Sequence, residues 1–207
     1  IIINNGMING SGGLQGLRIK SGSVATITNS SAGEIYGDAT GSPGSAGLLV
    51  QNNAGSLATL NNYGLIYAGN VSGLKNNGAS GTFSNYLSGT IYGGNYGFNN
   101  SQTLTSFYNY GSIISGGTAV YNTGTITNFY NGQGSAGTVL SYSGALPTNY
   151  YLFISSLGAY GQLSTSSISG TTIFDIDPAS TVAPGTYSSV FDGLFSSNFS
   201  GSAVQAS

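Results

Sequence analysis

The chain has 207 residues, of which 35 are glycine and only 4% are charged, and its formal net charge at pH 7 is −2. Three cations are too few for the basic stripe of a nucleic-acid-binding protein, and no apolar run approaches the roughly 20 residues that span a bilayer. The composition argues for order, because 39% of the residues are apolar and the net charge is small. With no cysteine and no histidine, the chain has no disulfide, no thiolate or imidazole metal site and no Ser-His-Asp triad.

One signature recurs from the first residues onward: an apolar residue, one spacer and then asparagine. The period is near 23 residues, the length of one turn of a parallel β-solenoid. Asparagines stacked one turn apart can hydrogen-bond along the axis, so we predict a structural ladder. Its predicted members are Asn5, Asn29, Asn62, Asn85, Asn109 and Asn131.

Each turn is predicted to contain three short strands that are separated by glycine corners. Because strand side chains alternate between faces, the large apolar residues form three inward columns. These columns are Ile27, Leu60, Phe83, Phe107 and Phe129; Ile8, Ile35, Ile66, Ile91 and Ile113; and Leu74, Phe98 and Val120. One interval of 33 residues predicts an insertion loop at residues 38–46.

The rhythm changes after about residue 135, and Pro147 breaks the pattern. We predict solenoid repeats over residues 1–140, and a C-terminal β-rich cap or a continuation of the solenoid over 141–207. Strands are expected at 149–154, 160–163, 171–176 and 186–191. The predicted fold is all-β: a right-handed parallel β-helix with turns of about 23 residues and a C-terminal β-rich cap.

The repeats resemble a known family. Asn5-Gly6-Met7-Ile8-Asn9-Gly10 and Asn62-Tyr63-Gly64-Leu65-Ile66 are similar to the passenger regions of bacterial autotransporter-type adhesins. The tail, from Asn149 to Val190, resembles the segment that follows the repeats in such secreted proteins. The resemblance implies an extracellular β-solenoid that is exported from a Gram-negative bacterium. Since the sequence starts at Ile1 with no initiator methionine, we interpret it as a mature product or a fragment, with a secretion signal upstream.

Asp175 and Asp177 are the only close pair of carboxylates. Two residues apart on a strand, they are predicted to share one face. No lysine, arginine or histidine lies near them in sequence, so we interpret them as a polar edge before Pro178 rather than as a catalytic pair or a weak calcium contact. We therefore predict no enzyme activity, no metal and no cofactor.

Outward tyrosines are the candidate ligand or assembly face. Each directly follows an inward isoleucine or phenylalanine, so the rings are predicted to point outward and to stack. This stacking can serve stability alone, or it can provide a platform for sugars or for lateral packing. The tyrosines are Tyr36, Tyr67, Tyr92, Tyr108 and Tyr130.

The preferred hypothesis is an extracellular structural or adhesive rod that mediates surface adhesion or self-assembly into filaments or a biofilm matrix. Its predicted partners are other copies, end to end or lateral, and cell-surface or matrix glycans, with no nucleic acid and no transmembrane segment. Exposed strand edges at a solenoid end favour self-association. A carbohydrate-binding or polysaccharide-processing β-helix and a phage-type trimeric fibre remain alternatives.

Overall fold

The structure, a computed structural model, describes residues 1–10, 15–37, 45–51 and 55–201. The chain winds through about 7 turns of about 24 residues each, with almost no helix. Most of the predicted insertion at 38–46 lies outside the described residues; its last residue, Ala46, begins a strand.

The first five turns contain three strands each. In chain order these are β1 (Ile2–Asn4), β2 (Met7–Gly10), β3 (Gln15–Ile19), β4 (Gly22–Asn29), β5 (Glu34–Gly37), β6 (Ala46–Val50), β7 (Gly55–Asn62), β8 (Leu65–Ala68), β9 (Ser72–Asn76), β10 (Ser80–Asn85), β11 (Thr90–Gly93), β12 (Tyr96–Asn100), β13 (Thr103–Asn109), β14 (Ser112–Ser115) and β15 (Thr118–Asn122).

Eight further strands belong to the later turns. They are β16 (Thr125–Asn131), β17 (Leu140–Ala145), β18 (Asn149–Leu152), β19 (Ile154–Ser156), β20 (Ala159–Tyr160), β21 (Leu163–Ser169), β22 (Ile173–Ile176) and β23 (Phe191–Asp192), followed by a 3-10 helix (Ser196–Asn198).

The strands form three parallel sheets, one on each side of the solenoid. Sheet 1 has the order β1-β4-β7-β10-β13-β16-β18-β22, sheet 2 has β2-β5-β8-β11-β14, and sheet 3 has β3-β6-β9-β12-β15-β17-β21-β23. Only the β19–β20 hairpin is antiparallel among the named strand pairs. The prediction of an all-β parallel solenoid is confirmed, and its right-handed winding stays a prediction.

The core is a stack of equivalent side chains. In sheet 1, Phe83 pairs in register with Leu60 on one side and Phe107 on the other, and all three are buried. The sheet 2 column from Ile35 to Ile113 is equally buried, whereas Ile8 at its start is half-buried and packs against the core. Each turn therefore buries its apolar side chains against the neighbouring turns, as stacked repeats require.

The corner between sheets 1 and 2 alternates in length. Four residues separate the strands after β4 and β10, but only two do so after β1, β7 and β13. A Cβ on Gly64 would lie 2.1 Å from the Gly33 carbonyl oxygen, and one on Gly111 would lie 2.4 Å from that of Gly89. Each long corner thus packs against the glycine of the next short corner, which explains why the Asn-Tyr-Gly sequence there ends in glycine.

Sheet 2 ends at β14, where the side chain of Gln133 takes the place of a further strand. The Gln133 Oε1 accepts a hydrogen bond of 2.7 Å from the Ile113 N–H, and its Nε2 donates to the Ile113 carbonyl at 3.1 Å. It also donates to the Thr138 carbonyl and accepts from the Asn109 amide, at 3.1 Å each. The buried amide of Gln133 therefore satisfies an edge that would otherwise remain open.

Sheets 1 and 3 continue beyond residue 140 through parallel pairing of β17, β18, β21, β22 and β23. The predicted strand at 186–191 is only Phe191–Asp192, and the predicted strand at 160–163 is divided between the end of β20 and the start of β21. Glycine and serine turns fill these segments, where the apolar spacing of the earlier repeats is lost.

Candidate functional site on the outward tyrosine ladders

The five predicted tyrosines lie on two sheets, not on one face. Tyr36, Tyr67 and Tyr92 are paired in register on sheet 2, and their ring centroids are 5.3 and 4.9 Å apart. Tyr108 and Tyr130 are paired on sheet 1 at 4.2 Å. The two groups lie on different sheets because the inward isoleucine and the inward phenylalanine that precede them belong to different strands of a turn.

The structure adds tyrosines that the sequence pattern missed. Tyr151 extends the sheet 1 ladder at 4.4 Å from Tyr130. Tyr63 and Tyr86 stack at 4.1 Å on the corner between the two sheets, directly after a ladder asparagine. That position after asparagine was a signal in the sequence. A further pair, Tyr96 and Tyr121, stacks at 4.6 Å on sheet 3.

Stacking determines which part of each ring is available to a ligand. The Tyr63–Tyr86 and Tyr67–Tyr92 ring planes differ by only 5° and 9°, so the ring faces are turned toward each other along the solenoid axis. The edges and hydroxyls of these half-buried side chains are directed away from the core. The ladders therefore offer rows of hydroxyl donors and acceptors rather than open ring faces.

Three of the ladder tyrosines, Tyr36, Tyr63 and Tyr130, have a raised pKa, which favours the neutral hydroxyl. Burial raises the pKa of Tyr36, and the nearby Glu34 carboxylate raises it further. The hydrogen bond with Tyr86 and, to a smaller extent, burial raise the pKa of Tyr63. Burial is the larger cause for Tyr130, and its hydrogen bond with Tyr108 raises that pKa further. The three cations lie on or directly after strands of sheet 3, so charge plays little part on these two faces.

Inside the corner runs the asparagine ladder. The Nδ2 of Asn29 donates to Asn62 at 2.9 Å, Asn62 donates to Asn85 at 2.8 Å, and Asn85 donates to Asn109 at 3.0 Å. Asn109 continues to Asn131 at 3.2 Å. All five side chains are fully buried, which makes the ladder a structural element rather than a ligand site.

The first member of the ladder is Asn4, which corrects the prediction of Asn5. Ile2 pairs with Ile27 and Asn4 with Asn29, and the Asn4 Nδ2 donates to the Asn29 Oδ1 at 2.8 Å. Asn5 is exposed. Asn4 and Asn5 both follow the isoleucines at the start of the chain, so the spacing in the sequence does not distinguish them. The register of the sheet does, because it pairs Asn4 with Asn29.

A second asparagine ladder, not predicted, lies at the end of the sheet 3 strands. Asn76 donates to Asn100 at 2.7 Å, and Asn100 donates to Asn122 at 2.8 Å. Both ladders end on a buried tyrosine hydroxyl at 3.1 Å: Asn122 donates to Tyr142, and Asn131 donates to Tyr150. Burial raises the pKa of both tyrosines, although the hydrogen bonds from the asparagines oppose the shift.

Asp175 and Asp177 do not share a face, contrary to the prediction. Asp175 is exposed in β22, whereas Asp177 is buried just beyond the end of that strand. Asp177 accepts hydrogen bonds from the Tyr110 hydroxyl at 2.8 Å and from the Ala179 N–H at 2.9 Å. Burial and this carboxylate raise the pKa of Tyr110. The pair therefore has the arrangement of a structural contact, in which Asp177 anchors the last turn to the corner of β13.

An apolar cavity of about 790 Å³ lies beside the last turns, where sheet 2 has no further strand. Its lining includes Leu152, Ile154, Phe174, Ile176 and Val190. The Tyr187 hydroxyl, also in the lining, is already bonded to both the N–H and the carbonyl of Ala183. This cavity lacks the convergent polar groups with which a sugar site orients its ligand.

Comparisons of the chain with protein-family models, with curated proteins and with solved structures found no match. The fold alone therefore defines its class, a three-sided parallel β-solenoid. Within the described ranges, no three histidine, cysteine, aspartate or glutamate side chains are grouped so that they could hold a metal ion. A search of the same ranges found no helix with the length and apolarity that a membrane crossing requires.

Proposed function

We propose that the protein is an extracellular structural and adhesive rod, of the kind found in the passenger regions of autotransporter-type adhesins of Gram-negative bacteria. It acts by many weak contacts along its length, with other surfaces and with neighbouring rods. The observation that carries this proposal is the repetition of outward tyrosines in register, once per turn, on two adjoining sheets.

Repetition supports adhesion because it multiplies one weak contact. A single tyrosine edge contributes little, but rigidly connected copies bind together with a strength that far exceeds each one. The asparagine ladders supply the rigidity, since they connect consecutive turns through buried hydrogen bonds of 2.7–3.2 Å. The contact surface is therefore held in one fixed arrangement.

The low charge defines how such contacts respond to salt. Only 4% of the residues are charged, so hydroxyls, amides and aromatic edges must supply the contacts. These contacts are not weakened when the Debye length falls from about 10 Å at 0.1 M salt to about 3 Å at 1 M.

The test is retention of protein-coated beads under flow on glycan-coated and on plain hydroxylated surfaces. We expect retention at both about 0.1 M and about 1 M salt. Beads that carry a charge-matched globular protein serve as the control. No retention above this control, or retention that disappears in high salt, would contradict the proposal.

A further inference from the structure

Sheet 2 presents an outward face that is almost free of charge. Ten outward positions in β2, β5, β8, β11 and β14 define it, and we call it the sheet 2 face. In two register columns these are Met7, Glu34, Leu65, Thr90 and Ser112, and Asn9, Tyr36, Tyr67, Tyr92 and Ile114. Glu34 is the only charged residue among the ten.

Apolar and aromatic side chains dominate this face. Met7 and Ile114 are 64% and 44% exposed, and the tyrosines and Leu65 are half-exposed. Exposed Leu87, 87% accessible, lies on the adjoining long corner. Interfaces are enriched in tyrosine and methionine and depleted of charge relative to other surfaces, and the sheet 2 face has this composition.

The structure assigns this face to a second copy of the same chain: we propose that two solenoids pack laterally with their sheet 2 faces together. The assignment rests on the self-association part of the proposed function and gives it a place on the molecule.

The argument for a second copy is the repeat distance. The columns repeat once per strand, about 4.8 Å along the axis. A partner gives every tyrosine in the column an equivalent contact only if its own surface repeats at the same distance, and another sheet 2 face does so. Paired sheets with stacked identical side chains pack dry and closely in this way, about 10 Å apart.

Charge is compatible with this pairing. The single carboxylate, Glu34, lies in the second of the five strands, one strand from the centre of the face. In an antiparallel pairing of two faces, each Glu34 lies opposite the uncharged strand β11 of the other copy, so the two carboxylates do not face each other. At the centre are Leu65 and Tyr67, which carry no charge.

Area determines how strong one such contact is. Five strands of four residues cover roughly 24 Å by 13 Å, or about 300 Å² per copy. A stable complex buries about 800 Å² per partner. A single pair of faces therefore associates weakly, and lateral association becomes firm only where many rods are held close together, as on a crowded surface.

The test is sedimentation velocity of the full chain over a concentration series. Tyr67→Lys places two like charges at the centre of the paired faces, so we expect at least tenfold weaker self-association. The matched control is Tyr121→Lys, which changes a stacked tyrosine on sheet 3, outside the two ladders of the proposed function, and should leave self-association unchanged. Leu65→Glu, which also adds like charges in the central strand but removes no stacked ring, serves as a second variant should Tyr67→Lys fail to fold.

Wild-type chains that stay monomeric up to the solubility limit would overturn the inference. Equal effects of Tyr67→Lys and Tyr121→Lys, or an effect of Tyr121→Lys alone, would overturn it as well. Bead retention separates this failure from that of the proposed function. Monomeric chains that still hold beads to surfaces leave the adhesive rod standing, whereas chains that do neither contradict both.

Discussion

Buried asparagines are the residues that most directly connect one turn to the next. Asn29, Asn62 and Asn85 each accept from the turn before and donate to the turn after, and the Nδ2 of each also donates to a backbone carbonyl of a sheet 2 strand, as that of Asn85 does to Ser112 at 3.2 Å. A buried amide with every group paired adds stability and orientation, while one with a missing partner is costly. This makes the ladder sensitive at any single position.

Asn85→Ala should therefore be strongly destabilising. It leaves the Asn109 Oδ1 and the Ser112 carbonyl without this donor and removes an acceptor of Asn62. We expect a loss of about 3 kcal/mol in the free energy of unfolding, measured by urea denaturation. Asn95→Ala, at an exposed asparagine, should change it by less than about 0.5 kcal/mol. Equal effects would contradict a structural role for the ladder.

Alkaline pH should weaken the fold through Tyr142 and Tyr150. Burial raises the pKa of both, so the folded chain holds these protons more tightly than the unfolded chain. The resulting stability is complete below about pH 10, the ordinary tyrosine value. It is lost as the pH rises above that value toward the folded-state values. Urea denaturation between about pH 8 and 11.5 measures this loss.

The double variant Tyr142→Phe, Tyr150→Phe is the control for that measurement. It should be less stable at pH 8, because Asn122 and Asn131 lose an acceptor. Above pH 10 its stability should fall less steeply than that of the wild type. An identical slope in both proteins would show that other groups cause the alkaline loss.

At the scale of strands and corners, the repeated features could be read from the sequence and the unrepeated ones could not. A large apolar residue recurs at the same inward position from one turn to the next, so the columns were predictable. Asn4 was missed because register depends on the partner strand, which spacing does not reveal. The second ladder was missed although Asn76, Asn100 and Asn122 recur at the solenoid period.

The end of sheet 2 shows the same limit. Gln133 occurs once and belongs to no pattern, and its role arises only because the chain brings it against Ile113. The spacing of residues in the sequence predicts the repeat, whereas the end of the repeat depends on contacts between residues that are distant in sequence.

Replacement of Gln133 should open the edge of sheet 2. In Gln133→Ala, the Ile113 N–H loses its acceptor, so we expect amide hydrogen exchange in β14 to rise by at least about tenfold. Exchange in β8, two strands away from the edge, should stay close to the wild-type rate. Unchanged protection of β14 would mean that something other than Gln133 covers the edge.

The alternating corners make a sharp comparison between two glycines. Gly64→Ala places a Cβ 2.1 Å from the Gly33 carbonyl, where backbone must move, and should cost about 2 kcal/mol or more. Gly137→Ala meets nothing within 4 Å and should be close to neutral. Thermal melting of both variants checks this, and a neutral Gly64→Ala would contradict the close packing of the corners.

At the scale of the whole molecule, each turn repeats the contacts of its neighbours, so length should determine function. Residues 63–109 are two whole turns, bounded by Asn62 and Tyr110 at equivalent corners. Their removal joins Asn62 to Tyr110, so Gly111 takes the place of Gly64 against the long corner that contains Gly33. The alternation of long and short corners is therefore kept. A duplication of the same segment lengthens the rod by two turns in the same register.

Retention of coated beads under flow, compared among the shortened, the wild-type and the lengthened chain, tests the adhesive rod most directly. If adhesion arises from many linked contacts along the solenoid, removing two turns should shorten the retention time by at least about tenfold, far more than in proportion to the length removed. The lengthened chain should be retained longer than the wild type. Equal retention of all three folded chains would contradict a function that is spread along the rod.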